Sequence, residues 1–449
     1  MNKPSRRRFL KQSAVAAGAL ASTAGTLSAA SRSASAIRRA MSTSILGANE
    51  RFRLGVVGCG GHSRTDINAF LNSGHGVDVV ALCDVDDAML ADKQKFLVGH
   101  NRPAPETTKD FRKLVERKDI DVVQVTTPDH WHPLVMIHAV QAGKDVYCEK
   151  PLANSVGESK VMLDWARKTN RVVQMGTQWR ASKHMADAIA YVHSGKLGKI
   201  RLVRCWCALA WFKSVGKPAD AQVPEGVDYD MWLGPAPKRP FNPARFHFQF
   251  RWFWDYAGGL MTDWGVHLLN IALWGMQVDF PKRVASVGGK YAFDDIAETP
   301  DTQNTLYDFG DFGLVWEHKA GVGHGAENRE HGVAFYGQNA TLIVDAGGWE
   351  VVPQGDKVPA EKHAIAEPGE ACRQRLVGNF LNCVKSRQRP IEDIEIGHHV
   401  TTVAHLGNLA LRTGRSIEFD AANMKVIGNE EANRMLMPEY RKPWELPKV

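Results

Sequence analysis

Phe52-Arg53-Leu54-Gly55-Val56-Val57-Gly58-Cys59-Gly60-Gly61-His62-Ser63 is the stretch that decides the fold of this 449-residue chain. Its apolar first half reads as a buried strand, and the glycines that follow read as a sharp turn into a helix. Gly58 and Gly60 let the backbone turn tightly and approach a pyrophosphate, whose charge a helix N-terminus favours; Gly61 extends the same opening. Ser63 stands where a third Gly or Ala is usual, and glycine turns after strands are common, so the motif needs a partner. Asp84 is that partner. It ends a second apolar run, 77–83, where a carboxylate accepts both ribose hydroxyls of NAD and repels the 2′-phosphate of NADP. Strand, turn, helix, strand and acid in this order predict a dinucleotide site that prefers NAD to NADP.

Working outward, short apolar strands alternate with helical stretches up to residue 176, with strands at 121–126, 145–148 and 172–175 and helices at 133–142 and 158–168. The alternation predicts a parallel, doubly wound sheet. Beyond it the pattern changes. A helix at 181–193 leads into an alternating strand at 199–209, a Pro-, Gly- and Trp-rich irregular stretch at 213–256, and a helix at 261–274. Strands parted by Gly- and Asp-rich turns follow at 283–291, 302–309, 313–319, 332–336 and 341–344, a series that suits an antiparallel sheet with one covered face. Helices at 373–385 and 397–412 close it. The expected organisation is α/β: a nucleotide-binding domain over 50–176, an α+β domain over 177–420 whose last helices are free to pack back on the first, and a loose tail over 421–449.

Residues 1–48 stand apart. Ser5-Arg6-Arg7-Arg8-Phe9-Leu10-Lys11 matches a twin-arginine export signal at each fixed position, and an Ala-rich stretch at 14–24 follows it. Ser28-Ala29-Ala30 or Ala34-Ser35-Ala36 offers small residues for cleavage. The alternative is a basic tail without structure. The apolar stretch is too short to span a bilayer and no other run approaches about 18 apolar residues, so no membrane span is expected after processing. The formal charge of +7 belongs to this segment, whose eight Lys and Arg and absence of acids leave the remainder at about −1. That near-neutral remainder gives no electrostatic case for a nucleic-acid or anionic-membrane partner. The seven cysteines show no metal spacing and no Cys-x-x-Cys, and read as buried small hydrophobes. A chain folded in a reducing compartment before export needs no disulfide. His318, His324 and His331 have no ligand spacing, so no metal is expected. The expected location is periplasmic or otherwise exported.

Two further strand ends carry reactive residues. Thr126-Thr127-Pro128-Asp129-His130-Trp131-His132 follows the third strand and Cys148-Glu149-Lys150-Pro151 the fourth. Ligands of open α/β sheets bind outside the carboxyl ends of the strands, which puts Lys150 at the nicotinamide end of the cleft. By itself it reads rather as a surface lysine before a helix. Asp263 and His267 stand four residues apart, so on a helix they share a face and can address one substrate oxygen. Gly258-Gly259 before them permits close backbone approach. Spacing alone leaves open a helix-capping Asp and a satisfied core His.

Thr127-Pro128-Asp129-x-x-His132, Glu149-Lys150-Pro151 and Asp263-x-x-x-His267 together resemble the Gfo/Idh/MocA family of NAD(P)-dependent sugar and inositol oxidoreductases, over residues 50–420. The resemblance implies a Rossmann domain followed by a domain built on an open, mostly antiparallel sheet, in line with the change of pattern near residue 176. It implies Lys150 as the active-site lysine, with Asp263 and His267 as its partners. Thr127, Pro128, His132 and Glu149 are expected to join Gly58, Gly60, Gly61, Ser63 and Asp84 around the cofactor. A homodimer or homotetramer is also implied, because the open sheet face is otherwise an exposed apolar patch.

Oxidising a secondary alcohol sends hydride to the nicotinamide while the hydroxyl loses its proton. His267, with a resting pKa of roughly 6.5, is the expected base. A protonated Lys150 stabilises charge developing on the oxygen, and Asp263 orients the substrate or the His. Gln178 and Arg180, after the fifth strand, and Trp254 and Asp255, in the Trp-rich stretch, are the expected substrate residues; Trp in such a stretch serves equally as core or interface. The expected function is that of an exported oxidoreductase acting on a sugar, sugar derivative or cyclic polyol with tightly held NAD(H), since a soluble pool for reoxidation is scarce outside the cytoplasm. A redox-neutral glycosidase, lyase or epimerase working through a transient keto-sugar is the alternative. A non-catalytic sugar-binding protein is a third reading, against which the intact Lys150, Asp263 and His267 argue.

Overall fold

The computed structural model describes residues 51–365, 367 and 369–449. The export signal read in residues 1–48 lies outside the described residues. Strands β1 (Phe52–Val57), β2 (Val77–Cys83), β3 (Glu106–Thr108), β4 (Val122–Val125), β5 (Asp145–Cys148) and β6 (Val173–Met175) form a parallel sheet in the order β3-β2-β1-β4-β5-β6. The order reverses between β1 and β4, which is where such a sheet opens a crevice for a ligand. β4 and β5 are buried at every position, and that is why they read as continuous apolar runs. β3, Glu-Thr-Thr, has no apolar run and escaped the sequence reading.

The second sheet holds β7 (Leu202–Leu209), β8 (Arg283–Gly289), β9 (Thr302–Asp308), β10 (Gly313–Ala320), β11 (His331–Tyr336), β12 (Ala340–Asp345), β13 (Gly348–Pro353), β14 (Glu361–Ala364), β15 (Ile417–Asp420) and β16 (Lys425–Ile427). Their order is β14-β13-β12-β11-β7-β10-β9-β8-β15-β16, and pairing is antiparallel except between β7 and β10. β9 shows the two-residue period of a half-covered sheet. Gln303, Thr305 and Tyr307 are buried, with Gln303 donating to the Gly407 carbonyl (3.3 Å) in the covering helix Ile394–Thr413. On the other face Leu306 and, from β8, Val287 remain 58% and 71% exposed.

The two halves are interleaved. Helix Gly369–Ser386 leaves the second sheet and packs on the first domain, where Phe380 meets Phe70 (6.3 Å) and Tyr147 (6.0 Å). Leu376, Val377 and Leu381 fill the same core as Phe52, Leu54 and Ile67. Arg373 donates to Asp66 (2.9 Å) and Arg387 to Asp145 (2.6 Å). A boundary at residue 176 thus divides the sheets but not the cores. The tail expected to be loose over 421–449 is packed as well: β16 pairs with β15, Tyr440 donates to the buried Glu158 (2.7 Å), and Trp444 lies 4.8 Å from Trp131. Its anchors are isolated aromatics without period, so no pattern announced them. All seven cysteines are buried and unpaired. Among the described residues no helix is long and apolar enough to cross a membrane.

Trp444→Ala is expected to lower stability by about 2 kcal/mol. The change should appear as a lower urea midpoint at unchanged slope; an unmoved midpoint would mean that the tail is not part of the folded unit in solution.

Candidate active site

β1 delivers its chain into the crevice through Gly58, whose φ of +90° and contact with β4's end demand glycine: a Cβ there would lie 2.5 Å from the Thr126 carbonyl carbon. Gly60 and Gly61 have no heavy atom within 4 Å of where a Cβ would stand, so they border open space at the start of helix Gly61–Leu71. Ser63 does not line that space. It is buried, and its hydroxyl donates to the Gly60 carbonyl (2.7 Å), tying the turn to the helix. Asp84 borders the cleft and accepts the backbone N–H of Cys59 (2.6 Å) and of Asp86 (3.0 Å). Burial raises its pKa, against these two donors.

The next two strand ends bring Thr127, Pro128, Glu149 and Lys150 to the same cleft, a cavity of about 670 Å³. His132, expected at the cofactor, lies behind it. Its ring nitrogens face the Thr127 carbonyl (2.9 Å) and the Pro151 carbonyl (2.8 Å), so it staples the two loops together. Glu149 is buried beside Gly176, where a Cβ would fall 2.0 Å from the Glu149 carboxylate. Asp129, in the same loop as Thr127, also borders the cleft, and burial drives its carboxyl well above the usual range despite Arg251 and Lys150 nearby.

The helix expected at 261–274 is two, Leu260–Asp263 and Gly265–Met276, parted at Trp264. The break leaves Asp263 at the end of one and His267 in the first turns of the other. Lys150 Nζ donates to Asp263 Oδ1 (2.7 Å) and to the Asp263 carbonyl (3.1 Å), and Arg251 reaches the same carboxylate (3.3 Å). Burial would raise Asp263; Lys150 and Arg251 outweigh it and hold the group well below the ordinary carboxylate range. Burial, helped by Lys150, pushes His267 down to about 3, not the near-neutral value expected from its type. His267 Nδ1 has no protein partner, and the Trp179 ring lies 5.4 Å from the imidazole.

The expected substrate residues are not brought to this place. Arg180 donates to Asn270 (2.7 Å) and stacks over Trp274 (5.1 Å), on a separate cavity. Trp254 packs beneath Arg412 (4.8 Å), and Asp255 pairs with Arg239 (2.9 Å), both away from Lys150. Gln178 starts a short turn, Gln178–Ala181, and does not line the cleft. The wall facing the nucleotide-binding strands comes instead from Trp232, His247, Phe248, Phe250 and Arg251 of the irregular stretch. That stretch also straps the tip of β2: Val227 bridges Asp86, the Gly226 carbonyl accepts from Asp87 N (3.2 Å) and Lys109 Nζ (2.7 Å), and His247 lies 2.9 Å from Asp86. Nothing periodic marks these residues in the sequence.

The residues fit NAD. The glycine edge leaves room for a pyrophosphate, and each Asp84 oxygen retains a lone pair for a ribose hydroxyl. Residues 52–177 match the description "Oxidoreductase family, NAD-binding Rossmann fold", and 192–290 with 350–446 match "Oxidoreductase family, C-terminal alpha/beta domain". The chain belongs to the Gfo/Idh/MocA oxidoreductase family. Levoglucosan dehydrogenase of Pseudarthrobacter phenanthrenivorans is 31% identical over 140 residues, 31% of this chain and 36% of that protein. Alpha-N-acetylgalactosaminidase of Shewanella oneidensis is 30% identical over 213 residues, 44% and 45% of the two. The chain thus spans less than half the length of these curated relatives. Two solved structures share the fold over 82% of this chain: a levoglucosan dehydrogenase in complex with NADH and levoglucosan (TM-score 0.66, 16% identity, 99% of that chain), and an aldose-aldose oxidoreductase from Caulobacter crescentus complexed with glycerol (0.64, 20%, 100%).

Asp84→Ala is expected to weaken NADH binding about tenfold or more, and NADPH binding much less. Equal losses for both nucleotides, measured by fluorescence titration, would mean that Asp84 serves only the turn.

Proposed function

We propose that this protein is an exported, NAD-dependent oxidoreductase that moves hydride between a secondary hydroxyl of a sugar, sugar derivative or cyclic polyol and a tightly held nicotinamide cofactor. The buried Lys150–Asp263 pair carries the reading: Lys150 borders the dinucleotide cleft, while Asp263 and His267, near Lys150, are not among the residues that line it. When bound, the nicotinamide supplies the hydride acceptor or donor. A lysine ammonium has three donors. Asp263 engages two of them, which leaves one for the substrate hydroxyl, whose oxygen gains charge as its proton leaves. His267, unprotonated at any working pH, takes that proton. Its low basicity makes the transfer depend on Lys150 acidifying the hydroxyl first.

Export is supported by the Ser5-to-Lys11 pattern, and the unpaired cysteines do not contradict it. Retention of the cofactor is supported by the strap over β2. Homo-oligomers are supported by Leu306 and Val287 on the uncovered sheet face. A second reading, redox-neutral cleavage of a glycoside, is favoured by relatives named glycosyl hydrolase family 109 protein and alpha-N-acetylgalactosaminidase. There, oxidation of a ring hydroxyl would acidify the neighbouring C–H, loss of that proton would expel the glycosidic oxygen, water would add to the resulting unsaturated ketone, and reduction would restore the hydroxyl with no net change in the nicotinamide.

Mass spectrometry of nucleotide released from the purified protein should find stoichiometric NAD(H). Protein that is empty and reduces added NAD freely would refute retention. Incubation with levoglucosan, aldoses and N-acetylgalactosaminides separates the two readings, since cleavage without net NADH belongs only to the second. Lys150→Met and His267→Gln should each lower kcat by about 10²–10⁴. The kcat/KM profile should show no limb from His267 between about pH 5 and 8, because the group stays neutral there. A limb near pH 6.5 that vanishes in His267→Gln would overturn the burial argument.

A further inference from the structure

The first turn of helix Gly61–Leu71 carries a side chain that the chemistry at Lys150 leaves unused. His62 borders the cleft and is 36% exposed, while its Nε2 lies 3.3 Å from Glu149 Oε2 and 3.9 Å from Asp66 Oδ1. Both carboxylates are buried, and each keeps one oxygen, Glu149 Oε1 and Asp66 Oδ2, without a hydrogen-bond partner. His62, Asp66 and Glu149 stand within 4.8 Å of one another, a spacing that suits a divalent cation. A cation of the protein already occupies that neighbourhood: Arg373, from helix Gly369–Ser386, lies 2.9 Å from Asp66, 3.6 Å from Glu149 and 3.5 Å from His62 Nε2, so the carboxylates hold the imidazole against a like charge. Tyr147 in β5 contributes a buried hydroxyl, and Lys150 follows Glu149 in the chain.

With both carboxylates ionised, one guanidinium leaves one negative charge in a site largely shut off from water, and burial, with Glu149 beside it, answers part of that charge by pushing the Asp66 carboxyl up to about 7. An imidazolium at His62 balances the rest. With Nε2–H turned to the carboxylates, the opposite edge of the ring faces the cleft at the N-terminus of the helix, where a dinucleotide places its diphosphate. We propose that His62 is a further cofactor-binding residue: Asp66 and Glu149 hold one ring nitrogen, and the other donates to the diphosphate. The inference rests on the NAD-binding cleft and is independent of any sugar. The titration behaviour of His62 agrees with the geometry, since burial would lower its pKa but Glu149 and Asp66, acting against Arg373, raise it.

The charge is present below the raised pKa and lost as pH climbs through it, so the cofactor should be released faster in alkali. Protein loaded with NADH is chased with excess NAD between about pH 6 and 9, and the loss of bound-NADH fluorescence gives the release rate. Wild type should release about tenfold faster at the alkaline end. His62→Gln should release fast at every pH, and His62→Lys should release slowly with the dependence removed from that range. A flat wild-type profile overturns the proposal, and so does a folded His62→Gln that keeps the wild-type rate and profile. Where the Gln variant does not fold, His62→Lys decides: retention of the wild-type pH dependence in it overturns the assignment.

Discussion

The candidate active site depends on one buried ion pair. Lys150 and Asp263 are 12% and 14% exposed, and ions withdrawn from water to that degree are tolerated only when paired and hydrogen-bonded. The pair joins the carboxyl end of β5 to the short helix Leu260–Asp263, so it sets the position of one half of the molecule on the other. Arg251 adds a second cation to the Asp263 carboxylate, and the Asp263 carbonyl takes another Lys150 proton. Removing either partner strands the other as an uncompensated buried charge.

A second buried cluster continues from the first through adjacent residues, Glu149 and Lys150. Around Lys150 the balance is two cations, with Arg251, against Asp263; around Glu149 it is two carboxylates, with Asp66, against Arg373 and His62. The cleft runs between them. Burial takes most of the basicity of His267 and Lys150 adds to the loss, while in low dielectric Lys150 and Arg251 are felt strongly enough to keep Asp263 ionised although buried. Small residues make the close approach feasible, as Gly176 does by leaving room for the Glu149 carboxylate.

The interleaved architecture bears on the cofactor. Helix Gly369–Ser386 shares a core with β1 and supplies Arg373, while the strap from the irregular stretch closes over β2 through Val227 and His247. Both elements belong to the chain after residue 176 and both hold the nucleotide-binding half. The two halves are therefore mechanically coupled at each end of the cleft, and the nucleotide site is completed only when both have folded.

The parallel sheet and the glycine turn with Asp84 were legible because each rests on local order along the chain, apolar periodicity and turn residues, whereas Lys150, Asp263 and His267 stood out only through their resemblance to family motifs, their spacing alone leaving bland readings open. Residues on irregular backbone have no such constraint. Trp254 and Asp255 sit in the expected stretch, yet Arg412 and Arg239 turn them away from Lys150, and Arg180 is drawn off by Asn270. His247 and His62 gain their meaning from partners far along the chain, Asp86 and Glu149, although Asp66 stands only four residues from His62 and Asp263 only twelve from Arg251. The basicity of His267 likewise follows from burial and a neighbouring charge, not from residue type. The sequence by itself determined the order of the main elements and the place of the glycine turn, since these follow from local pattern. Side-chain direction, charge balance and the closure of the cleft were decided by tertiary packing, because they depend on which distant groups desolvate and pair with one another.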